Sequence, residues 1–148
     1  MVLMATDIQK SLLTYIYDLL TTDASLMSAM GGSVRLYLTW ATPDAELPYL
    51  VQRLDMGILA DWSPVARCTY LLDIWSDSSN AEEILAIRAL LMGLLDGLDF
   101  STDETSECYL WIQTDGFIPE PEPGIWHYTC QFNLKWVNDS KIGVTLKR

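Results

Sequence analysis

The residues WHYTCQFNLKW, 126–136, constrain this chain more than any other stretch. A period of two puts Trp126, Tyr128, Cys130, Phe132, Leu134 and Trp136 on one face and His127, Thr129, Gln131, Asn133 and Lys135 on the other. At about 1.5–3 kcal/mol for each large side chain fully buried, this one strand supplies a large part of a core's driving force. The run before it alternates in the same way, with Cys108, Leu110 and Ile112 against Tyr109, Trp111 and Gln113, so the two close the domain as a hairpin. The connection, TDGFIPEPEPGI, is stiffened by Pro119, Pro121 and Pro123, while Glu120 and Glu122 are expected to keep it solvated.

The rest of the chain must cover that apolar face. Thr6 with Gln9 reads as a capping box for a first helix, whose stripe is Ile8, Leu12, Tyr15, Ile16 and Leu19. Thr22 or Asp23 caps a short further turn, ASLMSAM, ended by Gly31 and Gly32. From Ser33 the period becomes two: Val34, Leu36, Leu38 and Trp40 form one face of strand one, Arg35, Tyr37 and Thr39 the other. Strand two spans Tyr49–Leu54 behind Pro48, and strand three runs from Val65 to Trp75 with Ala66, Cys68, Tyr70, Leu72 and Ile74 on one side. A second long helix follows SDSSN, with Asn80 and Glu83 as a capping box, an inner stripe of Ile84, Ile87, Leu91, Leu94 and Leu98, and a second apolar strip of Leu85, Ala89 and Met92. The expected fold is one α+β domain over 1–138: a mostly antiparallel sheet of about five strands with two helices packed on one face. Residues 139–148 are read as a C-terminal tail, either disordered or ordered against a neighbour.

Composition narrows the function classes. A net charge of −11 argues against a nucleic-acid binder steered by phosphate, which needs Lys and Arg to release counterions. Lys135, Lys141, Lys147 and Arg148 are the one basic cluster and read as a solvated tail. No apolar run approaches the roughly 18 residues of a membrane span, and the first residues lack the basic start of a signal peptide, so a soluble protein with no membrane partner is expected. Cys68, Cys108 and Cys130 lack metal-ligand spacing and all fall on inward faces, as small buried hydrophobes in a reducing compartment.

Catalytic chemistry is hard to find. The single histidine, His127, sits among polar residues with no nucleophile motif nearby and reads as surface decoration. Asp73 and Asp77 flank Trp75 and would serve a carbohydrate-binding or hydrolytic domain only if they shared an open cleft; against this, an Asp before a capped helix is ordinary turn chemistry. No catalytic residue, cofactor or metal is therefore expected. What stands out is apolar surface: Tyr37, Trp62, Trp75, Tyr109 and Trp111 fall on outer faces or loops, and the strand connection 55–64 carries Met56, Ile58, Leu59 and Trp62. Ile58, Leu59, Trp62, Phe117 and Ile118 are the candidate subunit-interface residues; the other reading is that these loops pack on their own sheet.

Four phrases in this order, SLMSAMGGSVRLYL, PDAELPYLV, YLLDIWSDSSNAEEILAIRALLMGLLDG and WHYTCQFNLKW, resemble the tail completion, or tail terminator, proteins of long-tailed bacteriophages across nearly the whole chain to about Trp136. The strongest local matches are Pro48-Tyr49 and Trp75-Ser76 with the polar turn and apolar helix behind them. The resemblance implies a non-enzymatic virion subunit, assembled in the host cytoplasm. It would form a ring, typically of six, on the head-proximal end of the tail tube. Its partners would be other copies of itself, the tail tube protein and the head connector or stopper, with genomic DNA passing through unread. Another small head–tail junction adaptor or minor tail protein is the alternative within the same class.

Overall fold

The computed structural model describes residues 2–55 and 65–138, with side chains over 8–55 and 65–137. The apolar connection with Ile58, Leu59 and Trp62, and the tail 139–148, lie outside the described residues.

Helix α1 (Val2–Thr21) buries Ile8, Leu12, Ile16 and Leu20, one residue per turn down a single stripe. It starts before the expected cap: Thr6 lies inside the helix, since nothing in Val2–Ala5 breaks one. At its end, Thr21 and Thr22 donate their hydroxyls back to the carbonyls of Tyr17 and Asp18, which leaves Asp23 to cap α2 (Ala24–Ala29) by accepting from the Leu26 amide at 2.9 Å. Helix α2 stops where the glycines predict. Gly31 and Gly32 hold φ of 86° and 118°, and their amides reach the Ser28 carbonyl at 3.3 Å and the Met27 carbonyl at 2.8 Å.

The sheet has six strands in the order β1-β2-β3-β6-β5-β4: β1 (Leu36–Leu38), β2 (Tyr49–Asp55), β3 (Val65–Ser76), β4 (Leu98–Phe100), β5 (Thr105–Ile118) and β6 (Trp126–Asn138). Only β1 and β2 pair in parallel; the expectation of a mostly antiparallel sheet holds, with one more strand and one more helix among the described residues. Strand one is shorter than its alternation suggested. Thr39 turns to φ 71° and its amide bonds the Gln52 carbonyl, so Leu38 and Trp40 stand 58% and 77% exposed instead of lining the core. Arg35 ties this corner together, donating to the carbonyls of Met30, Glu46 and Pro48 at 3.0, 3.0 and 3.1 Å.

Helix α3 (Glu82–Leu95) buries Ile84, Ile87, Leu91 and Leu95; the expected stripe drifts at its end, where Leu94 is half-buried and Leu98 belongs to β4. The predicted capping box is half formed. Asn80 accepts from the Glu82 amide at 2.9 Å, while Glu83 turns away to accept from the buried Ser76 hydroxyl at 2.7 Å, fastening the helix to the end of β3. Of the second apolar strip of α3, Leu85, 44% exposed, and Ala89 are open, while Met92 packs against the core.

Helices α1 and α3 pack on the sheet face that presents Leu50, Leu72, Ile74, Cys130, Phe132 and Leu134, with α2 against both of them, and the core includes the fully buried Trp136, Tyr70 and Phe132. Tyr70 keeps its hydroxyl satisfied by donating to Gln52 at 2.7 Å. Among the described residues the other face carries no helix.

Candidate functional site: the helix-free sheet face

The pairing register fixes what this open face displays. From one end of the sheet to the other its rows are Tyr49, Trp75, His127 and Ile118; then Val51, Asp73, Thr129 and Gly116; Arg53, Leu71, Gln131 and Thr114; Asp55, Thr69, Asn133 and Trp111; and finally Arg67, Lys135, Tyr109 and Asp99. The first row is aromatic. Tyr37 meets Tyr49 edge-on at 5.8 Å, Tyr49 stacks on Trp75 at 6.2 Å, and Trp75 lies over the His127 ring at 3.8 Å and 14°. Tyr109 and Trp111 make a second stack at 5.4 Å near the other end. Of the aromatic residues expected outside the core, Tyr37, Trp75, Tyr109 and Trp111 are there; Trp62 lies outside the described residues.

His127 is not the surface decoration its neighbours in sequence suggested. It is only 9% exposed, because Trp75 covers its ring and the proline-rich loop folds back to bring Glu120 to Nδ1 at 2.7 Å. Asp73 Oδ1 stands 3.5 Å from Nε2 on the other side, a distance for charge attraction rather than a well-formed hydrogen bond. Burial pulls the imidazole's pKa down, but the bonds and charges of Asp73 and Glu120 outweigh it and hold the pKa above its ordinary value. Asp73 answers in the opposite sense: burial pushes it up, and His127, Thr129 and Arg53 bring it below the usual carboxylate range. Glu120 is thus a structural ligand of His127, not a solubilising residue.

Asp73 and Trp75 also line a cleft of about 390 Å³ with Tyr49, Val51, Thr39, Trp40 and Pro43. Asp77 is exposed and is not among the lining residues, so the structure does not bring together the two carboxylates that a hydrolytic site would need. The three cysteines are buried and free, and burial pushes the Cys68 and Cys130 thiols up to about 12, the reverse of what a nucleophile requires. Among the described residues no cluster of His, Cys, Asp and Glu could hold a metal, and no helix is long and apolar enough to cross a membrane.

Phe117 and Ile118 end β5 on opposite faces, 46% and 39% exposed. Ile118 sits beside His127 on the open face; Phe117 turns to the helix side, edge-on to Tyr128 at 4.9 Å and tilted against Trp126 at 5.8 Å. Deeper on that side, Asp115 accepts from Arg88 of α3 through Nη2 at 2.8 Å and Nε at 2.9 Å, and from the Tyr128 hydroxyl.

The architecture is shared. A chain in the solved structure "Virion of native gene transfer agent (GTA) particle" superposes with a TM-score of 0.71 at 17% identity, over 83% of this chain and 92% of that one, which establishes a common fold. No curated protein matches the sequence. The profile of one family, "Tail completion protein gp17", matches residues 14–135, from the middle of α1 to near the end of β6 and so through nearly every element described above. The chain therefore belongs to the tail completion protein gp17 family and is a structural protein of the phage tail.

Proposed function

We propose that this protein caps the head-proximal end of the tail tube as a ring of six subunits, ends tube polymerisation and presents the surface on which the head connector docks. Membership of the tail completion family carries this reading. The shape supports it. The helices cover one sheet face only, and the other holds half-buried aromatic rings and exposed Trp40 and Ile118, surface that a neighbouring subunit would remove from water. The role requires no catalysis: the Cys68 and Cys130 thiols have raised pKa values, and His127 is occupied by two carboxylates. An acidic subunit also suits a passage for DNA, since carboxylates do not retain phosphate.

Deletion of the gene from its phage tests the proposal. Loss of the cap should leave tails of irregular length that do not join heads; tails of normal length joined to heads in its absence would overturn it.

A further inference from the structure

Six basic side chains fall among the described residues, in a protein of 20 acids. Two of them, Arg67 on β3 and Lys135 on β6, are directly opposite each other on the helix-free face. Both are exposed, and neither has an ion-pair partner among the described residues. Like charges in register across a ladder destabilise the isolated sheet. Exposed Asp55 stands diagonal to Arg67 across β2 and β3 without forming an ion pair with it, and the acid in the same row, Asp99, is two strands from Lys135 beyond Tyr109, about 10 Å at the usual strand spacing and so largely screened at physiological salt. The stacked Tyr109 and Trp111 rings lie alongside, giving the cationic pair a flat apolar border.

The complementary surface is on the same chain. Between Arg88 and Lys135 the sequence has no Lys or Arg, and within that span the short edge strand β4, the loop after it and the start of β5 display Asp99, Asp103 and Glu107 respectively, all exposed. We infer that the Arg67–Lys135 pair, bordered by Tyr109 and Trp111, docks the acidic β4 edge of a second copy of this chain. Asp99 lies in the same row as the basic pair, so a two-fold contact could use both patches at once; in the ring reading each copy instead gives the basic pair to one neighbour and the acidic edge to the other, a head-to-tail contact that closes when the rotation allows. The inference rests on the ring reading for its choice of partner, and it adds the surfaces through which the copies meet. It also revises the place of Lys135, which belongs to a sheet-face patch and not to the C-terminal tail.

The test is K135E in the full-length protein. It sets a carboxylate opposite Arg67, so it should leave Tm unchanged or raise it, an outcome that loss of a structural contact would not give. Self-association, followed by sedimentation velocity up to about 1 mM at low salt, should nevertheless weaken at least about tenfold. Adding D99K and E107K to the same chain should recover most of it. Association undiminished by K135E, no recovery in the swapped chain, or a wild-type protein that stays monomeric throughout overturns the inference. If K135E fails to complement the gene deletion while its self-association is intact, the patch serves a different acidic protein. The ring reading stands or falls separately, on tail length in the deletion.

Discussion

The sharpest consequence of the open face is at His127. Glu120→Gln removes the negative charge that its Nδ1 meets at 2.7 Å, inside a site where the ring is only 9% exposed. A hydrogen bond between charged groups contributes about 1.5–3 kcal/mol; Glu120 keeps 21% of its side chain in solvent, which places the cost of the substitution at about 1–2 kcal/mol. The sign follows from the direction of the shift. A histidine whose folded pKa is raised contributes stability that is fully present below its unfolded value of about 6.5 and is lost as pH rises through the folded pKa. Asp73, lowered on folding, contributes stability present above its unfolded value of about 4 and lost as pH falls through its folded pKa. The clamp is therefore complete between about pH 4 and 6.5 and weakens first on the alkaline side. With one histidine in the sequence, the imidazole proton signal in an NMR titration is unambiguous. Its midpoint should exceed 6.5 in the wild type and fall in E120Q, and urea denaturation should show the difference in stability between the two shrinking above the wild-type midpoint. A wild-type midpoint at or below 6.5, or one unmoved by E120Q, refutes the clamp.

Three further outcomes are expected. Asp115→Ala strands Arg88 and the Tyr128 hydroxyl together and should cost about 1–3 kcal/mol, seen as a Tm lower by several degrees. None of Cys68, Cys108 and Cys130 should react with iodoacetamide at pH 8 at the rate of a free thiol, while all three should be alkylated in urea. Gly31→Ala forces a side chain to φ 86° at the α2 stop and should lower stability by about 1 kcal/mol, read from the urea midpoint at unchanged slope.

The elements that sequence reveals well are those whose signal is local. Alternation over 126–136 found β6 and assigned its faces, and Asp23 with the glycine pair marked both ends of α2. Where a single backbone angle decides, alternation misleads: it carried β1 on through Leu38 to Trp40, although Thr39 at φ 71° ends it. β4 escaped because three residues after Gly97 are too few to show a period. The candidate site was least legible of all, because its geometry depends on register. An irregularity between Ile112 and Thr114 turns β5 over, so that Asp115 and Phe117 face the helices and Ile118 faces the open side, the reverse of what strict alternation from Cys108 gives. The same is true of His127: only the pairing of β3 with β6 sets it against Trp75 and beside Asp73, and only the return of the loop brings Glu120.

How the sheet ends bears on what such a subunit can build. Its outermost strands, β1 and β4, have three residues each, while the four strands between them have seven or more. A long flat edge offers unpaired amides and carbonyls as a template for another strand, and growth through it has no natural end. The three-residue strands offer little of this themselves, and Gly97 and Thr39 leave the strand direction immediately beside them, but β4 covers only Cys108, Tyr109 and Leu110 of β5, so the outer side of β5 beyond Leu110 carries no strand among the described residues. In the ring proposed above, association would run instead through side-chain surfaces, where charge and ring stacking fix the angle between copies. A fixed angle can close on itself. For a protein proposed to stop a polymer, the β5 edge beyond β4 is the place to guard, and there the Asp96 carboxylate takes the Ile112 amide at 2.9 Å, so that the first donor past the edge strand is not offered to another copy.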